Sequence, residues 1–149
     1  MKILIVTALF ALVVTSSASA LSSMAGRNDW STLSAERLRQ LPPQISAAIR
    51  AAQKVCGEDE PRVRTGFLRY LKVQDGKEFV SLHFDQFHCA RSSALCNSAG
   101  CLHLVFVATR RRQAREVWRG HVYEIDMDDH AGRAIVNIRC GDSCDSRLQ

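Results

Sequence analysis

The sequence has no apolar run long enough to cross a bilayer. Its longest, residues 3–14, covers about twelve residues, whereas a membrane-spanning helix needs roughly twenty. The chain also has no internal repeat, no low-complexity stretch and no sign of a second domain. These absences predict a single small domain with no membrane span in its mature part.

The motifs of common enzyme and metal sites are missing as well. There is no G-x-S-x-G, the motif that presents the nucleophile of many serine hydrolases. The cysteines follow the spacings C-x6-C, C-x4-C and C-x3-C, whereas structural zinc sites use pairs such as C-x2-C. The sequence therefore predicts no catalytic residue, no cofactor and no metal site.

The N-terminus is typical of a secretory signal peptide. Lys2 supplies a positive charge, the apolar run of residues 3–14 follows, and small residues lead up to Ala20 as the cleavage point. No cysteine stands there to carry a lipid. We expect residues 1–20 to be removed, residues 21–33 to form a flexible arm and residues 34–149 to fold as one periplasmic or secreted domain.

All six cysteines lie beyond the signal peptide, and an even number in a small exported chain is typical of a disulfide framework. Six cysteines allow fifteen pairings. The turn-forming residues 97–100 favour a bridge between Cys96 and Cys101. A turn at residues 141–143 would let Cys140 reach Cys144, and Cys56 would then pair with Cys89. With every thiol paired, no cysteine is expected to act as a nucleophile. The six are Cys56, Cys89, Cys96, Cys101, Cys140 and Cys144.

One helix and five strands are predicted. Over residues 44–56, apolar side chains recur at spacings of three and four, which indicates an amphipathic helix after the Pro42-Pro43 break, with Gly57 as its stop. Residues 63–73 and 78–88 flank Asp75-Gly76, a strong hairpin signal. Residues 102–109, 116–127 and 134–140 complete an α+β fold in which the N-terminal helix packs on an antiparallel sheet of about five strands, stabilised by disulfides.

Several of these features together resemble small uncharacterised exported proteins of proteobacteria. Such proteins have a Leu-Pro helix that ends in cysteine, an Asp-Gly strand pair and a loop with cysteines and a Gly-Cys pair. Several of them carry a calcium-binding loop at the turn, but here Asp75 is its only carboxylate and too few oxygen ligands remain. The resemblance implies export and brings no activity. The matching residues are Leu41-Pro42, Cys56, Asp75-Gly76, Cys89, Cys96 and Gly100-Cys101.

The histidines are the candidates for chemistry. His83 and Asp85 share one strand face, and His103 and His121 lie on other predicted strands, so a metal site of three histidines is geometrically possible. Scattered strand histidines are more often satisfied structural residues, which is the interpretation adopted here. A nuclease-type hydrolase that uses Glu78, His83 and His121, with an arginine for the phosphate, is the alternative function.

Arginine supplies the best candidate for recognition. Without the signal peptide, 19 basic residues face 15 acidic ones, a net charge of +4. Four arginines fall within six positions of a predicted loop, where they would present positive charge to an anionic protein or glycan. The alternative is a solvated turn whose charge prevents edge pairing. No specific nucleic-acid partner is predicted. We interpret the chain as a non-catalytic binding module whose candidate contacts are Arg110, Arg111, Arg112 and Arg115.

Overall fold

The computed structural model describes residues 29–108 and 113–140, which form an α+β fold of helices and antiparallel sheets. Two helices occur in this part of the chain where the sequence predicted one: α1 (Ala35–Gln40) and α2 (Pro43–Cys56). Short 3₁₀ turns span Phe84–Gln86 and Ser92–Leu95. The strands are β1 (Ser31–Thr32), β2 (Arg62–Val63), β3 (Leu68–Lys72), β4 (Glu78–His83), β5 (Phe87–His88), β6 (Cys96–Asn97), β7 (Gly100–Ala108), β8 (Ala114–Val122), β9 (Glu124–His130) and β10 (Arg133–Arg139).

The strands form three sheets, not the single sheet of about five strands that the sequence predicted. In the main sheet, β7 pairs with β4 and β6 along one edge and with β8 along the other, and β3 pairs with β4. The strands β1, β2 and β5 make a small second sheet, and β9 and β10 make a hairpin. The two-residue strands were missed because they are too short for alternation to show.

The long predicted strands are shortened at identifiable breaks. The first arm of the Asp-Gly hairpin begins at Leu68 instead of residue 63, because the chain turns at Gly66, whose φ is +98°. The second arm ends at His83, where a 3₁₀ turn begins. The predicted strand 116–127 is divided at Tyr123 between β8 and β9. The Asp-Gly turn itself is present, with Gly76 at a φ of +80°.

Helix α2 covers one face of the main sheet. Pro43 stands in its first turn, where a missing N–H costs nothing, and Gly57 ends it at a φ of +67°. Its buried side chains include Ile45 and Ile49, which are fully covered. They share a core with the even-numbered positions of the central strands, Val80, Leu82, Leu104 and Phe106.

The hairpin β9–β10 covers the opposite face. Ile125, Met127, Val136 and Ile138 pack there with Phe79, Val105, Trp118 and Val122 of the main sheet. Strand β7 is therefore buried on both sides, as its continuous apolar run predicted. The segment before α1 is also attached: Ser31–Thr32 pair with β2, Leu33 is buried, and the ring of Trp30 lies 5.2 Å from that of His88.

Disulfides join these layers. Cys56 at the end of α2 is bonded to Cys89, and Cys96 is bonded to Cys101 directly across the β6–β7 pair, as the sequence predicted for both. Cys140 is also disulfide-bonded, and Cys144, its expected partner, lies outside the described residues. Neither helix in residues 29–108 and 113–140 is long and apolar enough to cross a membrane.

Candidate functional site

Two histidines face each other inside the molecule, beneath the β9–β10 hairpin. The register of β4 and β7 places His83 directly opposite His103. Both side chains lie on the odd-numbered face, whose other buried residues are apolar apart from Ser81, and each histidine is 1% exposed. The rings meet edge to face with centroids 5.0 Å apart. Two imidazoles are thus held together by strand pairing in a place where hydrophobic side chains are the rule.

Asp85 completes the group. The 3₁₀ turn that follows β4 returns the chain so that the carboxylate reaches the two rings. Its Oδ1 lies 3.9 Å from Nε2 of His103, and one ligand atom from each of His83, Asp85 and His103 lies within 4.8 Å of the others. Asp85 is the most exposed member, with 32% of its side chain accessible. We refer to these three residues as the His–Asp cluster.

The cluster contains buried polar atoms that lack partners. Among the described residues, Oδ1 of Asp85 and the ring nitrogens of His103 have no hydrogen bond of good geometry, although the Val122 backbone lies near enough to the His103 ring to raise its pKa. A buried donor or acceptor left unsatisfied costs roughly 1 to 3 kcal/mol, so native proteins have few of them. Poorly satisfied polar atoms gathered in one small space mark this cluster as the candidate site.

The other contacts of the cluster are ordered. The hydroxyl of Ser81 is hydrogen-bonded to Nε2 of His83 at 2.7 Å. The amide of Gln86 donates to Oδ2 of Asp85, and Arg64 donates in turn to Gln86 Oε1 at 2.6 Å. The carboxylate of Asp85 is thus fixed at Oδ2, and the ring of His83 is fixed at Nε2. Oδ1 of Asp85 and the ring of His103 are not fixed in this way.

Burial favours the neutral form of both histidines. The pKa of His83 is lowered to about 4, mainly by burial and also by Arg69 and His103, with the carboxylates of Asp85 and Asp126 opposing the shift. Burial likewise lowers the pKa of His103, against the opposing pull of Asp85. A neutral imidazole retains a lone pair that can bind an electrophile.

The hairpin closes the space above the cluster. Arg69 of β3 donates from Nη1 to the carbonyl of Ile125 at 3.5 Å and lies 3.8 Å from the Asp126 carboxylate. These contacts fasten the start of β9 to the edge of the main sheet. Asp85 is the member that remains accessible from solvent.

The structure separates the residues of the predicted nuclease site. Glu78 is exposed at the opposite end of β4 from His83, five positions or about 16 Å away along an extended strand. His121 pairs with Leu102 rather than with His103, whose partner on β8 is Gly120. His121 contributes electrostatically to the lowered pKa of His103, but none of its atoms belongs to the group of clustered ligand atoms.

Of the four arginines of the predicted binding surface, one lies among the described residues. Arg110, Arg111 and Arg112 lie outside the described residues, and Arg115 is an exposed residue of β8 opposite Val107. The proposed contact with an anionic partner therefore stays a prediction.

Sequence reasoning assembled an incomplete version of the cluster. It placed His83 and Asp85 on one face and considered His83 with His103, but it added His121 as the third member and set the site aside. The deciding facts were the β4–β7 register and the turn at Phe84, and neither is encoded in a local pattern. Three ligand-type side chains do converge here, an arrangement that the expectation of no metal site did not include.

Comparisons with known proteins give no match: no protein-family model, no curated protein and no solved structure is similar to the chain.

Proposed function

We propose that this chain is an exported, non-catalytic binding protein and that its ligand is a divalent transition-metal ion of the zinc type, held by the His–Asp cluster. The observation that carries the proposal is the convergence of His83, Asp85 and His103 with buried polar atoms that have no partner. An ion would satisfy Oδ1 of Asp85 and one nitrogen of His103 together.

The donor set suits such an ion. Imidazole nitrogen and carboxylate oxygen both bind Zn²⁺ at about 2.0 to 2.2 Å, and two histidines with one carboxylate leave a fourth position for water or another ligand. Tetrahedral bonds of that length place ligand atoms roughly 3.3 Å apart. The cluster atoms, within 4.8 Å of one another, must therefore converge slightly. Asp85, as the most exposed member, has the most room to move.

The neighbours of the cluster would act as its second shell. In the tautomer in which Nε2 of His83 donates to the Ser81 hydroxyl, Nδ1 keeps the lone pair that would bind the ion. Gln86 fixes the far oxygen of Asp85 and directs the other at the site. Such partners orient ligands and commonly change metal affinity 10- to 100-fold when removed.

Export is the second part of the proposal. The disulfides support it, because such bonds persist in oxidising compartments. The apolar leader with its small-residue end supports it as well. The proposal extends to a relationship with the small exported proteobacterial proteins that the Leu41-Pro42 and Gly100-Cys101 motifs resemble.

A calorimetric titration tests metal binding. Zn²⁺ is added to oxidised protein that has been stripped with a chelator, and one ion per chain is expected. His83→Gln, Asp85→Asn and His103→Gln should each weaken binding at least tenfold. The matched controls are His88→Gln and His130→Gln, which alter exposed histidines outside the cluster and should bind as the unaltered protein does.

Circular dichroism of every variant separates loss of the ligand from loss of the fold. Cobalt binding gives an independent signal, since the visible spectrum of Co²⁺ depends on its coordination. If the control variants weaken binding as much as the cluster variants, the ion is held at the surface and the proposal is wrong. It is equally wrong if no ion binds to folded protein.

The alternative function, a nuclease-type hydrolase, is tested with the same protein and variants. RNA and DNA are incubated with the purified protein, with and without Zn²⁺, and no turnover is expected. Turnover that disappears in His83→Gln would replace the binding proposal with a metal-dependent hydrolase.

A further inference from the structure

A second feature outside the His–Asp cluster has the character of a ligand site. A cavity of about 710 Å³ lies between the segment that leads into α1 and the chain from β2 to β3. Pockets that bind small molecules usually have volumes of roughly 300 to 1,000 Å³ and mostly apolar walls with a few polar groups. The size therefore fits a small organic molecule.

The lining of the cavity combines apolar and basic side chains. Buried or half-buried side chains of Leu33, Val63, Phe67 and Leu68 form the apolar part. Arg37 and Arg64 contribute guanidinium groups to the same lining. Asp29 also lines the cavity, but it already has an interaction partner of its own.

Arg64 is fixed in place before any ligand arrives. Its Nε donates to Gln86 at 2.6 Å, and its guanidinium carbon lies 5.0 Å from the centre of the Trp30 ring. These contacts occupy the Nε donor and one face of the guanidinium group. Among the described residues, the two terminal nitrogens of Arg64 have no hydrogen-bonded acceptor. An oriented guanidinium binds a carboxylate with little further loss of entropy.

Arg37 adds a second positive charge from α1. Its backbone N–H is bonded to Ser34, and among the described residues its guanidinium has no hydrogen-bonded acceptor. The cavity thus presents two arginines whose terminal nitrogens can still donate, beside an apolar wall. This pairing is typical of sites for anions with a hydrophobic part.

We propose that this cavity binds a small carboxylic acid with an apolar tail, whose carboxylate is held by Arg64 with support from Arg37. The tail lies against Leu33, Val63 and Phe67. The site differs from the His–Asp cluster in ligand and in chemistry, and it needs no metal ion.

The test uses decanoate as the probe, added to oxidised full-length protein in the presence of a chelator. Calorimetry should detect one bound decanoate per chain, and the fluorescence of Trp30 should change because the ring lies against Arg64. Hexanoate should bind more weakly, by up to about fourfold for each CH₂ removed. A decyl-trimethylammonium ion, which has the same tail and the opposite charge, should not compete.

Variants locate the site. Arg64→Gln should weaken decanoate binding at least tenfold, and Arg37→Gln should weaken it by a smaller factor. Arg62→Gln is the matched control, because Arg62 is an exposed arginine of β2 outside the cavity lining. Since Arg37 is exposed, its variant remains informative even if Arg64→Gln does not fold.

Three results would overturn the proposal. They are no decanoate binding at millimolar concentration, equal binding of decanoate and the ammonium analogue, and an equal effect of Arg62→Gln and Arg64→Gln. Because chelator is present throughout, failure here leaves the metal proposal untouched, and failure of metal binding leaves this one untouched.

Discussion

The two faces of the main sheet are buried to a similar extent but by different chemistry. Towards α2, the central strands present Val80, Leu82, Leu104 and Phe106, and these belong to one large apolar cluster. Towards the β9–β10 hairpin, the same two strands present Ser81, His83 and His103 beside Val105. The helix face gains the free energy of apolar burial, whereas the hairpin face bears the cost of buried polar atoms without partners.

This difference indicates a division of roles between the two faces. The helix face supplies stability, and the Cys56–Cys89 bond reinforces it. On the hairpin face, polar side chains stand where three potential ligands meet, and they stabilise the fold less than apolar side chains would. Buried groups that weaken a fold are commonly found where a protein binds or reacts. The following predictions test this division, starting with the largest expected effect.

Truncation of the helix face should be the most destabilising change. Phe106→Ala removes a ring that is 2% exposed, and we expect the free energy of unfolding to fall by about 3 to 5 kcal/mol. Urea unfolding followed by circular dichroism measures it. Zn²⁺ affinity of the folded fraction should be unchanged, and a loss of both together would mean that the two faces are not independent.

Removal of the disulfide on the helix face should come next. The Cys56–Cys89 bond spans 33 residues and the Cys96–Cys101 bond spans five, so loop-closure entropy predicts losses of about 4 and about 2 kcal/mol. Double serine variants of each pair avoid stray thiols. Equal losses in urea unfolding would show that the longer bond does not anchor α2.

Acid should weaken the hairpin face specifically. The pKa of His83 is about 4 in the folded chain against 6.5 when unperturbed, so between these values the unfolded chain holds the extra proton. Stability is therefore fully present above pH 6.5 and declines as the pH falls towards 4, by on the order of 3 kcal/mol. Urea unfolding with chelator at pH 7 and at pH 4.5 measures the decline.

The His83→Gln variant is the control for this pH effect and should show a shallower decline. The charged groups around the ring are Arg69 on β3, Asp85 after β4 and Asp126 on β9, together with His103 on β7. An unchanged decline in His83→Gln would assign the acid sensitivity to His103 or to carboxylates elsewhere.

Replacing a histidine of the cluster with an apolar side chain should stabilise the chain. His103→Leu removes a buried ring whose nitrogens lack a hydrogen bond of good geometry, and we expect the metal-free protein to gain about 1 to 2 kcal/mol while Zn²⁺ binding is lost. His121→Leu, at a half-buried position outside the cluster, should do neither. A destabilised His103→Leu variant would mean that the ring is satisfied in solution.

The smallest effect should come from the second shell. Gln86→Leu removes the amide that holds Oδ2 of Asp85, and Zn²⁺ affinity should fall about tenfold with the fold intact. Gln53→Leu on α2 is the matched change on the other side of the molecule and should have no effect on affinity. Calorimetric titration compares the two.

Local patterns in the sequence were sufficient for part of this description. The apolar stripe over residues 44–56 forms a helix that ends before Gly57, and Asp75-Gly76 forms the predicted turn. These features depend on neighbours in the chain and on the φ values that particular residues accept. The sheets were predicted less well, because a two-residue strand such as β1 or β5 is defined only by its partner.

For the candidate site, the sequence determined the residue types and the side of the strand on which each stands. It put His83 and His103 in strand segments, where alternation assigns their faces, whereas Asp85 lies in the 3₁₀ turn that follows β4. The tertiary structure decided which of them meet. The β4–β7 register brought His103 to His83, the turn at Phe84 returned Asp85 to them, and the packed fold buried both histidines. Register and closure depend on how distant segments pack together, so no local pattern could have specified the cluster.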